Sequence, residues 1–193
     1  MSVTVSQRIL TFIPNALTLF RLVLIGPFLL SFYNPNYVNA FYLFVIAGFT
    51  DALDGWLARY FHWQSPLGSF VDPLADKLLV ASSFVSLALV NELPWWLVIL
   101  VFMRDLTISA GVLAWYYFIQ RKLDFEPTYL SKINTVLQLS LVTICLFELA
   151  FPPFSFHTIP LLIMLTALTT TVTYIHYIWT WGKKAFSTHD FLQ

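Results

Sequence analysis

The sequence predicts an all-α integral membrane protein, a bundle of six transmembrane helices preceded by a short surface helix. Of its 193 residues, 59% are hydrophobic and 10% are charged, whereas a soluble domain carries about 25% charged residues. So few charges cannot cover a globule in water, which favours a bilayer as the surroundings of the chain. The net charge is zero, and no overall positive field favours nucleic acid as a partner.

The helices follow from the spacing of apolar stretches and turn residues. Residues 1–12 lack the apolar core and cleavage site of a signal peptide, and we expect them to form a helix on the membrane surface, with disorder as the alternative. About 20 apolar helical residues cross the hydrocarbon core, and turn-forming residues separate stretches of that length. The predicted spans are 14–33, 37–60, 68–91, 94–120, 130–151 and 157–182. We therefore expect a juxtamembrane segment at 1–12, one six-helix domain at 13–184 and a cytoplasmic tail at 185–193.

Basic residues beside the spans indicate the orientation, because cytoplasmic loops carry an excess of Lys and Arg. The loops after spans one, three and five contain neither residue type. The basic residues of the opposite side are Arg8, Arg59, Arg121, Lys122, Lys132, Lys183 and Lys184. Both termini are therefore expected on the cytoplasmic side, and the expected membrane is a bacterial inner membrane.

Four aspartates lie inside predicted spans, where ionisable groups are costly and usually functional. Asp51 and Asp54 are three residues apart near the end of span two, on one helix face. Asp72 and Asp76 are four residues apart near the start of span three. A short loop makes these spans antiparallel neighbours, so their acidic faces can meet near the cytoplasmic end of the bundle. Helix capping would explain Asp72 before Pro73, but it does not explain acids at the end of a helix.

Converging carboxylates in a low dielectric repel each other unless they are protonated or cations lie between them. Ligation by oxygen alone favours Mg²⁺, Mn²⁺ or Ca²⁺. Two such ions can hold a pyrophosphate and stabilise both the attacking and the leaving oxygen of a displacement. The acidic pattern therefore predicts a metal-dependent site for phosphate chemistry.

The full pattern of residues 51–76 resembles the signature of the CDP-alcohol phosphotransferase family. It reads D-x2-D-G-x2-A-R-x8-G-x3-D-x3-D, and the stretch PNALTLFR in span one is also similar to that family. The resemblance implies a six-span fold, a homodimer, and two divalent ions, Mg²⁺ or Mn²⁺, with Ca²⁺ the weaker candidate. The implied metal ligands are Asp51, Asp54, Asp72 and Asp76, of which Asp76 is also the implied general base. The implied ligands of the CDP moiety are Asn15, Thr18, Gly55, Arg59 and Gly68.

The resemblance also implies the reaction. The family transfers a phosphatidyl group from CDP-diacylglycerol, a membrane lipid, to an alcohol and releases CMP. The stretches MRDLTIS (103–109) and PTYLSKINTVLQL (127–139) look most like cardiolipin synthases of the eukaryotic type. Phosphatidylglycerol is therefore the favoured acceptor, and glycerol-3-phosphate remains the alternative. Both acceptors carry a phosphate, and family analogy assigns it to Arg104 and Lys132.

Other interpretations of single residues stay open at this point. Asn15 can cap the first helix, Arg59 can be a flanking charge, Arg104 can pair with Asp105 or a site carboxylate, and Lys132 can extend its charge to the membrane surface. A cation transporter would also place acids in a membrane bundle. Such a protein would not need the glycine spacing or the confinement of acids to one membrane end.

Overall fold

A computed structural model describes residues 12–61, 68–119, 129–152 and 157–189. In this part of the chain the secondary structure is entirely helical, which confirms the predicted all-α class. The helices are α1 (Phe12–Tyr33), α2 (Tyr37–Tyr60), α3 (Gly68–Leu89), α4 (Trp95–Ile119), α5 (Tyr129–Ala150) and α6 (Ile159–His189). The surface helix predicted for residues 1–12 lies almost entirely outside the described residues.

Two of the predicted turns are visible with their cause. Helix α2 is capped by Asn36, whose Oδ1 accepts a hydrogen bond from the backbone N–H of Asn39 at 3.2 Å. Between α3 and α4, Asn91 has a φ of 63°, a left-handed conformation that asparagine tolerates better than most residues. Pro94 then precedes the first residue of α4. Both turns lie at predicted junctions, the first between spans 14–33 and 37–60 and the second between spans 68–91 and 94–120.

The chain divides into two compact units. The first comprises Met1–Val90 and Val142–Phe156, and the second comprises Asn91–Leu141 and His157–Gln193. In the first unit α1 packs against both α2 and α3. In the second unit α4 packs against α6. Helix α5 contributes its early turns to the second unit and its last turns to the first.

The core of the first unit depends on small and aromatic residues along one face of α2. Ala40, Phe44 and Ala47 are buried at i, i+4 and i+7. The Phe44 ring lies 6.4 Å from that of Phe28 in α1. Continuing along this face by two further turns from Ala47 brings the helix to Asp54, which is also buried. The face that packs the apolar core therefore carries acidic groups at its C-terminal end.

The outward faces of the helices carry large apolar side chains. Leu19 and Val23 of α1 are each 63% exposed, and Met164 of α6 is 70% exposed. Such surfaces suit hydrocarbon better than water. Three helices contain a window long and apolar enough to cross a membrane, namely Ala16–Tyr33, Tyr129–Ala150 and Ile159–Thr180. The membrane class is thus supported, and the count of six spans stays a prediction.

Candidate active site

The polar groups of the first unit gather at one end of its three helices. In α1 they occur in the N-terminal half, in α2 near the C-terminus, and in α3 near the N-terminus. Neighbouring helices joined by short connections run antiparallel, so these three positions share one end of the unit. The helix topology therefore brings together residues that are more than fifty positions apart in the sequence, such as Thr18 and Asp72.

Arg21 is the centre of this cluster. Its side chain is completely buried, although it belongs to an otherwise apolar helix. The Nη2 atom donates to Oδ2 of Asp54 at 2.5 Å, and Nη1 lies 3.0 Å from Oδ1 of Asp51. Nη1 also donates to Oδ1 of Asp76. One guanidinium thus contacts carboxylates from both acidic helices.

The fourth aspartate, Asp72, accepts a hydrogen bond from α1, the helix that also carries Arg21. Thr18 lies one turn before Arg21 on α1 and is also buried. Its hydroxyl donates to Oδ1 of Asp72. The two acidic pairs predicted from the sequence therefore do converge, and α1 lies between them as the element that contacts all four.

The cluster holds more negative than positive charge. Arg21 supplies one positive charge to the four carboxylates. Asp76 is also within hydrogen-bonding reach of the Asp51 side chain, and two carboxyl groups in contact require a shared proton or a cation between them. Arg21 alone does not balance four carboxylates, so the cluster requires bound protons or further positive charge.

The four acids differ in how open they are. The Asp54 side chain is 6% exposed, whereas those of Asp51 and Asp76 are 46% and 43% exposed. The backbone of Gly55 adds a hydrogen bond to the Asp54 carboxylate. Asp54 thus forms the closed floor of the cluster, and a ligand can approach Asp51 and Asp76 from outside.

Part of the predicted nucleotide site cannot be placed beside these acids. The side chains of Asn15 and Arg59 lie outside the described part of the structure, and Gly68 is described only as the first residue of α3. Thr18, predicted to bind the CDP moiety, is placed one turn from Arg21 and bonds to Asp72. Gly55 is half-buried beside the acids, where a glycine leaves room next to the backbone.

The donor chemistry of the cluster fits a divalent ion, since all four candidate ligands are carboxylates. The positively charged guanidinium of Arg21 already contacts three of these carboxylates. Within the described residues, no three acidic, imidazole or thiol groups lie close enough together to hold a metal as they stand. The residues thus fit such an ion in type and charge, while in this conformation Arg21 contacts one oxygen each of Asp51, Asp54 and Asp76.

The second unit contains a separate basic pair. Arg104 of α4 is buried, and its Nη1 atom donates to Oδ1 of Asp105 at 2.6 Å. Its Nη2 atom donates to the Ser131 hydroxyl of α5 at 2.6 Å. The internal pair with Asp105 that the sequence left open is therefore present. Lys132 is exposed, and its ammonium lies 5.4 Å from the centroid of the Tyr129 ring.

Sequence reasoning assigned no role to Arg21. A signal was available, because Thr18 and Arg21 lie three residues apart on one face of span one, within the stretch PNALTLFR that ends at Arg21. An arginine in an apolar span needs an acidic or polar partner. The nearest acids in sequence are thirty or more residues away, so only the packing of the helices shows which ones it meets.

Comparison with known proteins agrees with this geometry. The sequence profile of the CDP-alcohol phosphatidyltransferase family matches residues 11–180. The chain is 33% identical to a Mycobacterium tuberculosis protein named "Probable phosphatidylglycerophosphate synthase", over 85% of this chain and 78% of that protein. It is 34% identical to the human cardiolipin synthase (CMP-forming), over 89% of this chain and 62% of that protein.

A third relative is the CDP-diacylglycerol–glycerol-3-phosphate 3-phosphatidyltransferase of Escherichia coli K12. It is 35% identical over 66% of this chain and 72% of that protein. The profile match spans α1 to α6 and includes every member of the aspartate cluster. The chain is therefore a member of the CDP-alcohol phosphatidyltransferase family, a membrane enzyme of phospholipid synthesis.

Proposed function

We propose that this enzyme transfers a phosphatidyl group from CDP-diacylglycerol to a phosphate-bearing glycerol acceptor and releases CMP. The favoured acceptor is phosphatidylglycerol, which gives cardiolipin, an anionic phospholipid. The observation that carries the proposal is the convergence of Asp51, Asp54, Asp72 and Asp76 around one end of α1. An acidic cluster of this kind needs cations, and a cation-rich site suits a diphosphate substrate.

Divalent ions, Mg²⁺ or Mn²⁺, are the proposed cofactors, and the four aspartates are their proposed ligands. When bound, such ions would neutralise the diphosphate of CDP-diacylglycerol and the charge that develops on the leaving CMP. The ligands come from two helices of one unit. Their relative positions are therefore set by the packing of α2 and α3 against α1.

Asp76 is the proposed general base. A base has to reach the proton that it removes, and the Asp76 side chain is 43% exposed while that of Asp54 is 6% exposed. In the proposed reaction the acceptor oxygen attacks the phosphorus that carries the diacylglycerol. A new phosphorus–oxygen bond forms, the bond from that phosphorus to the CMP oxygen breaks, and the hydroxyl proton passes to Asp76.

The proposed acceptor-binding residues lie in the second unit. The Arg104 Nε is buried without a hydrogen-bond partner among the described residues, so this guanidinium retains an N–H that an acceptor oxygen can use. Lys132 is exposed at the start of α5. Both are proposed to bind the acceptor phosphate, because a charge-assisted bond to phosphate is about twice as strong as a neutral one.

The choice of acceptor rests on sequence similarity rather than on the geometry of the aspartate cluster. Residues 103–109 and 127–139 look most like cardiolipin synthases. Among the relatives, some are named for phosphatidylglycerophosphate synthesis and others for cardiolipin synthesis, at similar identity. Glycerol-3-phosphate, which gives phosphatidylglycerophosphate, is therefore kept as the second candidate acceptor.

The basic residues beside the predicted spans support a proposed orientation with both termini and the aspartate cluster on the cytoplasmic side of a bacterial inner membrane. CDP-diacylglycerol would then reach the open side of the cluster from the lipid, with its nucleotide in the cytoplasmic headgroup region. A homodimer is proposed by family resemblance alone.

The experiment that tests the proposal offers the purified enzyme CDP-diacylglycerol together with one acceptor at a time. We expect CMP release and cardiolipin formation with phosphatidylglycerol, measured by lipid mass spectrometry. The control reactions contain inositol or serine, which carry no phosphate, and should give no lipid product. Formation of phosphatidylglycerophosphate alone would assign glycerol-3-phosphate as the acceptor, and product with inositol or serine alone would contradict a phosphate-bearing acceptor.

A further inference from the structure

The proposed metal chemistry does not explain why Arg21 lies among the carboxylates that are the proposed metal ligands. Its two terminal nitrogens contact the carboxylate oxygens of Asp51, Asp54 and Asp76. A divalent ion would bind the same three carboxylates. Two positive charges a few ångströms apart repel each other, so the guanidinium and the ion compete for the negative charge of these groups.

Burial explains why Arg21 holds these carboxylates in the absence of another cation. A charged side chain without a partner is costly in a low-dielectric interior. Arg21 is completely buried, and Asp54 is nearly so. Each therefore needs the other: without Arg21 the carboxylates face one another, and without them the guanidinium is an uncompensated charge.

The polar contacts that the structure shows for Arg21 are all made by its two terminal nitrogens. Its Nε has no hydrogen-bond partner among the described residues, so the grip consists of contacts made by Nη1 and Nη2. Two of the contacted acids, Asp51 and Asp76, are on the open side of the cluster. An incoming cation can therefore reach their oxygens without first dismantling the apolar core beneath Asp54.

We propose that Arg21 is an internal counter-ion that a divalent ion displaces from at least one carboxylate when it binds. The cluster then has two forms, one closed by the guanidinium and one loaded with metal. Arg21 keeps the acidic helices packed while the site is empty of metal, and it sets the metal concentration at which the site loads. This inference rests on the proposed divalent cofactor.

The test compares Arg21→Gln with the wild-type enzyme, using Mn²⁺ binding by electron paramagnetic resonance and thermal unfolding in detergent. In EDTA the variant should unfold at a lower temperature, because the carboxylates lose their counter-ion. Mn²⁺ should restore its stability and raise its Tm by more than it raises that of the wild type. Removing one competing charge a few ångströms away should tighten Mn²⁺ binding by about tenfold or more.

Two further variants make the outcome specific. Arg21→Lys keeps the charge but cannot fork between several carboxylates, so its Mn²⁺ affinity should lie between those of the wild type and Arg21→Gln. Arg104→Gln removes a second buried arginine, whose partners are Asp105 and Ser131. Its loss of stability should not be restored by Mn²⁺.

Weaker or unchanged Mn²⁺ binding in both Arg21 variants would overturn the inference, and so would a loss of stability in Arg21→Gln that Mn²⁺ leaves uncorrected. The wild-type enzyme is assayed in parallel for Mn²⁺ binding and CMP release. If the wild-type enzyme binds Mn²⁺ and releases CMP while the variants show either contrary result, the proposed role of Arg21 is wrong and the proposed function stands. If the wild-type enzyme binds no Mn²⁺, the inference and the proposed cofactor fail together.

Discussion

Thr18 shows how a single hydroxyl can position an acid in this site. It is buried in α1 and donates to Asp72, an aspartate of the neighbouring helix α3. The resemblance assigned Thr18 to the nucleotide. Its contact with Asp72 makes it a positioning residue as well, since the orientation of that carboxylate depends on its hydrogen bonds.

Thr18→Val should lower the rate of CMP release by about tenfold, because an unsatisfied buried acceptor costs about 1–3 kcal/mol. The side chain keeps its shape but loses its donor. Steady-state CMP release at saturating CDP-diacylglycerol checks this. Thr18→Ser restores the hydroxyl and serves as the matched control, which should retain most of the wild-type rate. Equal rates in all three proteins would show that the bond to Asp72 has no role in catalysis.

At the residue scale, the acids could be found from sequence and the arginine's partners could not. The spacing of Asp51, Asp54, Asp72 and Asp76 fixes their helix faces, and the short loop between spans fixes their approach. Arg21 has a long flexible side chain, so its periodic position does not determine which oxygens it reaches. Arg104 shows the same limit: its pair with Asp105 was one of three interpretations left open.

Helices α5 and α6 illustrate how polar residues join elements inside this apolar protein. Asn134 of α5 is completely buried, and its Oδ1 accepts hydrogen bonds from Thr169 and Thr170 of α6, each at 2.8 Å. Both helices contain a window able to cross a membrane. Hydrogen bonds between such helices contribute to their packing, because the hydrophobic effect does not drive helix association within lipid.

Asn134→Leu should therefore lower the free energy of unfolding by about 1–2 kcal/mol. The change removes the acceptor of two bonds and leaves the Thr170 hydroxyl to find another partner. Titration with a denaturing detergent, followed by circular dichroism, measures the effect. Thr171→Val is the control, since Thr171 is exposed and its hydroxyl bonds to the Ala167 carbonyl of its own helix. Equal stability of the two variants would contradict a joining role for Asn134.

The helix boundaries were well predicted where turn residues are strong. Asn36 caps α2 and Asn91 adopts the left-handed conformation after α3, both at predicted turns. Membrane crossing is less evident for α2 and α3, because their charged residues lower the mean hydropathy of these helices. The aspartates that indicate the function therefore make α2 and α3 less apolar, and these helices are harder to recognise as membrane spans.

On the scale of the whole molecule, many large apolar side chains are exposed, while several polar side chains are buried in a largely apolar core. Leu19, Val23 and Met164 are exposed, while Arg21 and Asn134 are buried. Such an arrangement is stable when lipid replaces water around the helices. Under the proposed function, CDP-diacylglycerol, itself a lipid, would approach the aspartate cluster from the surroundings of the protein.

The composition established this membrane class, and the family assignment removes the cation transporter as a rival explanation of the acids. Two compact units were not foreseen, because the boundary at Leu141 falls inside the continuous apolar helix α5. No change of composition or turn residue marks that point in the sequence. Packing alone, which depends on contacts distant in sequence, separates the two parts of that helix.

The most direct test of the central claim is CMP release from CDP-diacylglycerol by Asp76→Asn, measured beside the wild-type enzyme with Mg²⁺ or Mn²⁺ and phosphatidylglycerol. Loss of the proposed base should lower the rate by about 100-fold or more. Glu92→Gln, an equivalent change in the turn between α3 and α4, should leave the rate close to that of the wild type. Undiminished CMP release by Asp76→Asn would contradict the proposal that the aspartate cluster is the site of phosphatidyl transfer with Asp76 as its base.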